Sequence, residues 1–180
     1  MKRLIAAVVL ITAMWTIACA SLDKEPGKMS ESDSAEKSSS SISQGRGKAS
    51  LDLEGGKVSI DYGRPVLRGR DILSMLSPGE EWRMGSDSAT KLTSDLSLKF
   101  GDKVIPKGEY ILTAKRVEEE KWNLLIKAED GTTLAEAPMI FQKTAESVEQ
   151  MTIMLEKMET GGQFILRWST FTLTANFQKA

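Results

Sequence analysis

From Leu51 to Phe177 the apolar residues recur at every second position, in short runs broken by turn residues. Period two puts successive side chains on opposite faces of an extended strand, so this spacing excludes a helical bundle and predicts a chain of half-buried strands. Leu51 and Leu53 lead through Gly55-Gly56 into Val58, Ile60 and Tyr62, a hairpin. Leu96, Leu98 and Phe100 lead through Gly101-Asp102, a type II′ signal, toward Val104. Ile105-Pro106-Lys107-Gly108 fits a type I turn into Tyr110, Leu112 and Ala114. The charged tip Glu118 to Lys121 precedes Trp122, Leu124 and Ile126, and Asp130-Gly131 precedes a strand from Leu134 to Phe141. Pro138 lies inside that strand and predicts an edge position, because proline donates nothing to a ladder. Met151, Ile153 and Leu155 alternate next, then Gly161-Gly162 turns the chain into Phe164, Leu166 and Trp168.

Phe164, Leu166 and Trp168 hold even positions, whereas Phe171, Leu173, Ala175 and Phe177 hold odd ones. A slip of one residue would turn every side chain to the opposite face, so a bulge or bend is expected at Ser169-Thr170. The helical signal is confined to a single turn near 71–76, capped by Asp71 and stopped by Pro78-Gly79. With about nine or ten strands, the expected fold is all-β, a two-sheet antiparallel β-sandwich, with a jelly-roll or barrel as the alternative.

Ahead of the strands stand two segments of different character. Lys2 and Arg3 precede the apolar run Leu4 to Ile17, shorter than the ~20 residues a spanning helix needs and suited to an export signal. The run ends in Thr16-Ile17-Ala18-Cys19, which is similar to a bacterial lipobox and makes Cys19 the expected lipidation site. The alternative is cleavage after Ala18-Cys19-Ala20, which would discard the chain's one cysteine and leave a soluble periplasmic or secreted protein. Residues 20–48 are Ser, Lys, Glu, Asp and Gly with few apolar side chains, a composition expected to stay disordered. As a tether of roughly 30 residues they would span about 30 Å. The expected organisation is therefore a signal over 1–19, a Ser-rich tether over 20–48 and a single domain over 49–180. Ala20 in place of an Asp after the cysteine favours the outer membrane, facing the periplasm, by resemblance to Gram-negative lipoproteins.

Charge narrows the function classes. The 24 Lys+Arg nearly balance the 25 Asp+Glu, so no global field attracts nucleic acid, and none is expected as a partner. Histidine is absent, which removes Ser-His-Asp and Cys-His nucleophile pairs and imidazole metal sites. No cofactor, metal or catalytic residue is expected. The candidate ligand site is the span Val58 to Thr90, where Tyr62, Arg64, Arg68, Arg70, Trp82 and Arg83 gather guanidinium forks and aromatic faces suited to an anionic or glycan ligand or an envelope partner. Arg68 and Arg70, past the strand-ending Pro65, are the expected ligand contacts, and Arg83 beside Trp82 the expected structural one. The competing expectation is that these arginines pair with Asp61, Asp71, Glu80, Glu81 or Asp87 and pin the loop. An alternative function, a carboxylate-based hydrolase of envelope material, would draw on Asp61, Glu80, Glu81 and Asp87.

The string Tyr62-Gly63-Arg64-Pro65, Arg68-Gly69-Arg70, Glu81-Trp82-Arg83-Met84-Gly85 and Ala89-Thr90, then Pro106-Lys107-Gly108-Glu109-Tyr110 and the late Trp168, resembles the DUF2911 family of bacterial secreted proteins. The resemblance runs from about Lys48 to the end. It implies an exported β domain and no particular activity, since the family's function is unknown. Two departures are visible: Ser86-Asp87-Ser88 stands where the family tends to have an Ala-Asn-Glu type sequence, and the usual Trp-Gly is missing around Glu129 to Leu134.

Overall fold

The computed structural model describes residues 45–180. The expected signal, the lipidation site Cys19 and most of the expected tether fall on residues 1–44, outside the described residues. From Gly45 on the chain forms β1 (Arg46–Leu53), β2 (Gly56–Gly63), α1 (Ile72–Met75), β3 (Glu81–Trp82), β4 (Thr90–Ser94), β5 (Leu98–Phe100), β6 (Lys103–Ile105), β7 (Gly108–Arg116), β8 (Trp122–Lys127), β9 (Thr133–Met158) and β10 (Gly161–Lys179). The fold is all-β and antiparallel. Its ladder is one continuous path, β1-β2-β4-β7-β8-β9-β10-β5-β6, with β3 paired to β7 off it. The two-sheet division expected from the sequence is thus not a break in the hydrogen bonding, because β9 runs through both halves.

β9 is 26 residues long and would extend roughly 85 Å if straight. It changes partners instead. Residues 133–139 pair with β8, and from Ile140 onward the partner is β10. Pro138 sits where the β8 ladder runs on and the β10 ladder, ending at Thr174↔Ile140, has not begun. The proline therefore lies in an interior strand, correcting the expected edge position, but at a point paired on one side. Residues 142–150 are mostly exposed, so no alternation announced this part of the strand.

Turn chemistry decides the hairpins. Gly101 has φ +56 while Asp102 is not among the positive-φ residues, the pattern of the II′ turn between Phe100 and Lys103. At Ser169, φ is 51 and the β9 register shifts on either side. That bulge restores parity, so Phe164, Leu166 and Trp168 before it and Phe171, Leu173, Ala175 and Phe177 after it are all buried. They join Val58, Ile60, Leu92, Leu112, Leu124, Ile126, Met151 and Ile153 in one apolar cluster.

β1 starts at Arg46, ahead of the expected start at Ala49. Gly47 lies opposite Tyr62, and a Cβ there would stand 2.6 Å from the ring carbon Cζ. Gly and charged residues carry the strand at this end, so the alternating pattern misses it.

Candidate functional site

After β2 the chain leaves its ladder and crosses to β9. The Met151 N–H donates to the Pro65 carbonyl at 3.0 Å and the Leu67 N–H to the Glu149 carbonyl at 2.8 Å. Proline ends the donor row, and the loop that follows turns at Arg68 (φ 51) and Gly69 (φ 72). Arg70 closes that loop on itself, donating from Nε to the Leu67 carbonyl (3.0 Å) and from Nη2 to the Val66 carbonyl (2.8 Å). The Asp71 carboxylate then accepts from the Leu73 N–H at 3.1 Å and caps α1, as its position in the sequence predicts. At the other end of this turn, Arg116 of β7 donates to the carbonyls of Leu73, at 2.7 Å, and Leu76. A cation meeting the last carbonyls of a helical turn satisfies acceptors that have no partner within it.

β3 pairs with β7, Trp82 opposite Ala114, and the Lys127 ammonium holds the Glu81 carboxylate. Next comes the loop 83–89. The Thr90 hydroxyl donates to the Met84 carbonyl at 2.7 Å, and Gly63 meets Ser86 so closely that a Cβ would lie 2.1 Å from the Ser86 carbonyl oxygen. Only a glycine permits this backbone approach.

The loop after β2, α1, β3 and the loop 83–89, together with Trp168 of β10, line an open cavity of about 700 Å³. Pro65, Ile72, Met75 and Leu76 are apolar members of the lining, and Arg68, Arg70, Arg83, Ser86 and Asp87 polar ones. Trp82 stacks on Trp168 with centroids 5.6 Å apart and planes 14° from parallel. The lining thus holds three arginines and one carboxylate, Asp87. The Arg68 side chain carries no hydrogen bond or ion pair among the described residues, and Arg83 makes one bond, from Nη1 to the Asp87 carbonyl at 3.3 Å. The acids expected to neutralise these arginines are engaged elsewhere: Asp61 with Arg46, Glu81 with Lys127, Asp71 on the α1 cap and Glu80 on the Ser77 N–H at 2.7 Å. The Lys127 hydrogen bond holds the Glu81 carboxyl below the ordinary carboxylate range.

Backbone strain gathers at the same place. Among the described residues, the non-glycine positions with positive φ are Arg68, Met84, Asp87 and Ser169. Arg68 and Asp87 line the cavity, Met84 sits between the lining residues Arg83 and Gly85, and Ser169 follows Trp168. Such conformations cost of order 1–3 kcal/mol each and persist where the surroundings impose them.

Two of the expected site residues lie elsewhere. Tyr62 is buried, its hydroxyl donating to the Ile153 carbonyl (3.2 Å) and accepting from the Ile153 N–H (2.9 Å). Arg64 donates to the Met151 carbonyl and the Thr152 hydroxyl, each at 3.3 Å. Both fasten the end of β2 to β9 and neither lines the cavity. Arg68, Arg70, Trp82 and Arg83 line the cavity; Arg70 also braces the loop backbone, and Arg83 is exposed. Trp168 was not among the expected contacts. Its even parity with Phe164 and Leu166 marks it as inward-facing, but its stacking on Trp82 joins distant parts of the chain and leaves no local signal.

A family model described as protein of unknown function (DUF2911) matches residues 44–177. No curated protein and no solved structure matches the chain.

Proposed function

The chain belongs to DUF2911, a family of proteins of unknown function, and from that premise we propose that it is a non-catalytic binding module of the cell envelope whose cavity takes a small anionic or glycan ligand. The observation that carries this reading is the pair of guanidinium groups, Arg68 and Arg83, that line the cavity beside stacked indoles without a carboxylate partner among the described residues. A volume of about 700 Å³ lies within the usual range of ligand pockets, roughly 300–1,000 Å³. A two-carboxylate hydrolase needs an acid and a base or nucleophile across one bond, and this lining contributes the single carboxylate Asp87. The experiment is a thermal-shift screen of the full chain against carboxylated, phosphorylated and neutral saccharides and small organic anions, since a ligand of the native state raises its melting temperature. At least one saturable hit lost in Arg68→Gln is expected; a screen without one overturns the reading.

The envelope location rests on the charged start, the short apolar run, Cys19 and the Ser-rich segment behind it. The module is anchored by lipid at Cys19, facing the periplasm from the outer membrane. Cells fed a clickable palmitate analogue should label the wild type and leave Cys19→Ser unlabelled. Equal labelling of both contradicts the anchor.

A further inference from the structure

The cavity lining mixes two chemistries, and the mixture bears on what fits it. Arg68 and Arg83 are exposed donors with little or no internal commitment. In the same lining α1 presents apolar side chains, and Met75 is 58% exposed. Apolar surface left in water is unfavourable, and an exposed methionine in a cavity lining is surface that an apolar ligand body would cover. Methionine is also the side chain that adapts best to an irregular apolar or aromatic shape.

We propose that the ligand is an amphipathic anion, an acid group carried on an apolar or aromatic body, and not a neutral sugar; this rests on the binding reading given above. Sugar hydroxyls both donate and accept, and a site that holds them offers acceptors as well as donors. Arginine offers donors alone. The side-chain acceptors of this lining are the Asp87 carboxylate and the Ser86 hydroxyl, against three guanidinium groups. A bare inorganic anion would satisfy the arginines but leave Met75, Leu76 and the half-buried Trp82 uncovered. An acid head on a flat or aliphatic body uses both chemistries of the lining at once, the head at Arg68 and Arg83 and the body along α1 and Trp82.

Isothermal titration of the full chain tests this with four probes. The first, 1-naphthalenesulfonate, has charge and body; 1-naphthalenesulfonamide has the body alone; sulfate has the charge alone; digalacturonate is an acidic sugar. The naphthalenesulfonate is expected to bind saturably and about tenfold or more tighter than each of the others. Arg68→Gln should weaken it about tenfold and Met75→Ser several-fold, with the melting temperature of each variant within a degree or two of wild type because both side chains are exposed. Arg68-dependent binding of digalacturonate, with none of the naphthalenesulfonate, overturns the amphipathic assignment and leaves the binding function standing. Binding of every probe unaffected by Arg68→Gln, or no binding at all, overturns the assignment and counts equally against the cavity as a site for anions.

Discussion

The Tyr62 hydroxyl and the Ile153 backbone satisfy each other twice, as donor and acceptor, in a buried setting where neither reaches water. Tyr62→Phe should therefore cost about 1–3 kcal/mol, the penalty of leaving buried polar groups unpaired, with the cavity's affinity unchanged. Urea denaturation beside a ligand titration checks both halves. Gly63→Ala should be worse, because its Cβ would enter the backbone of Ser86 and displace a cavity wall; loss of both stability and binding is expected. At this scale the sequence was informative wherever the physics is local. The Asp71 cap and the turn glycines can be read from neighbours a few positions away. Tyr62 was open to a better reading, since it shares parity with Val58 and Ile60 and its ring follows them into the core. Arg64 is committed by contacts with β9 that are absent from local sequence, whereas Arg70 and Arg83 bond carbonyls three or four residues away, a choice the loop conformation makes and the residue types alone do not reveal.

The short elements around the cavity depend on side chains from the sheet. α1 has four residues, too few to be stable alone, and Arg116 ties its carbonyls to β7 while lying 5.7 Å from the Trp122 ring centroid. Arg116→Gln should cost about 1.5–3 kcal/mol, the range for hydrogen bonds to a charged group. It should also speed amide exchange across residues 72–80. Slow exchange retained there would show that α1 is held without it. β3 is tethered by Glu81 and Lys127, and the lowered Glu81 value sets a sign for pH. A carboxyl depressed on folding contributes stability that is present above its ordinary value of 4.5 and is lost as pH falls through the folded value. The difference in melting temperature between wild type and Glu81→Gln should thus shrink on going from pH 7 to pH 3; a constant difference would mean the pair is not the cause. Hairpins were legible because a turn signal sits between two alternating runs. The long β9 was not: its middle is exposed and polar, and its continuity comes from pairing with β10 and the segment at Val66, both distant in sequence.

Across the whole molecule, one apolar cluster is enclosed by a single antiparallel path, and the cavity occupies the place where chain from β2 leaves its own ladder to join β9. The all-β class followed from period two, and the bulge at Ser169 from the change of parity, since both are consequences of burying one face. The continuous ladder did not follow, because strand order depends on long-range pairing. The first strand is anchored ahead of Ala49: Gly45 accepts from the Arg64 N–H at 3.1 Å and Arg46 pairs with Asp61. A chain beginning at Gly45 should melt like the full chain, whereas one beginning at Ser50 should lose several degrees along with the packing of Gly47 on Tyr62. Equal melting of both would show that the first turn of β1 adds nothing. Arg68 and Arg83 are free for a ligand and do not hold the fold, whereas Arg70 in the same lining braces the loop. The most direct measurement is the melting temperature of the full chain, wild type and Arg68→Gln/Arg83→Gln, with and without the best anion found by screening. Equal melting without ligand is expected, with a ligand-induced rise in the wild type alone. A double variant that unfolds, or one that keeps the rise, would contradict it.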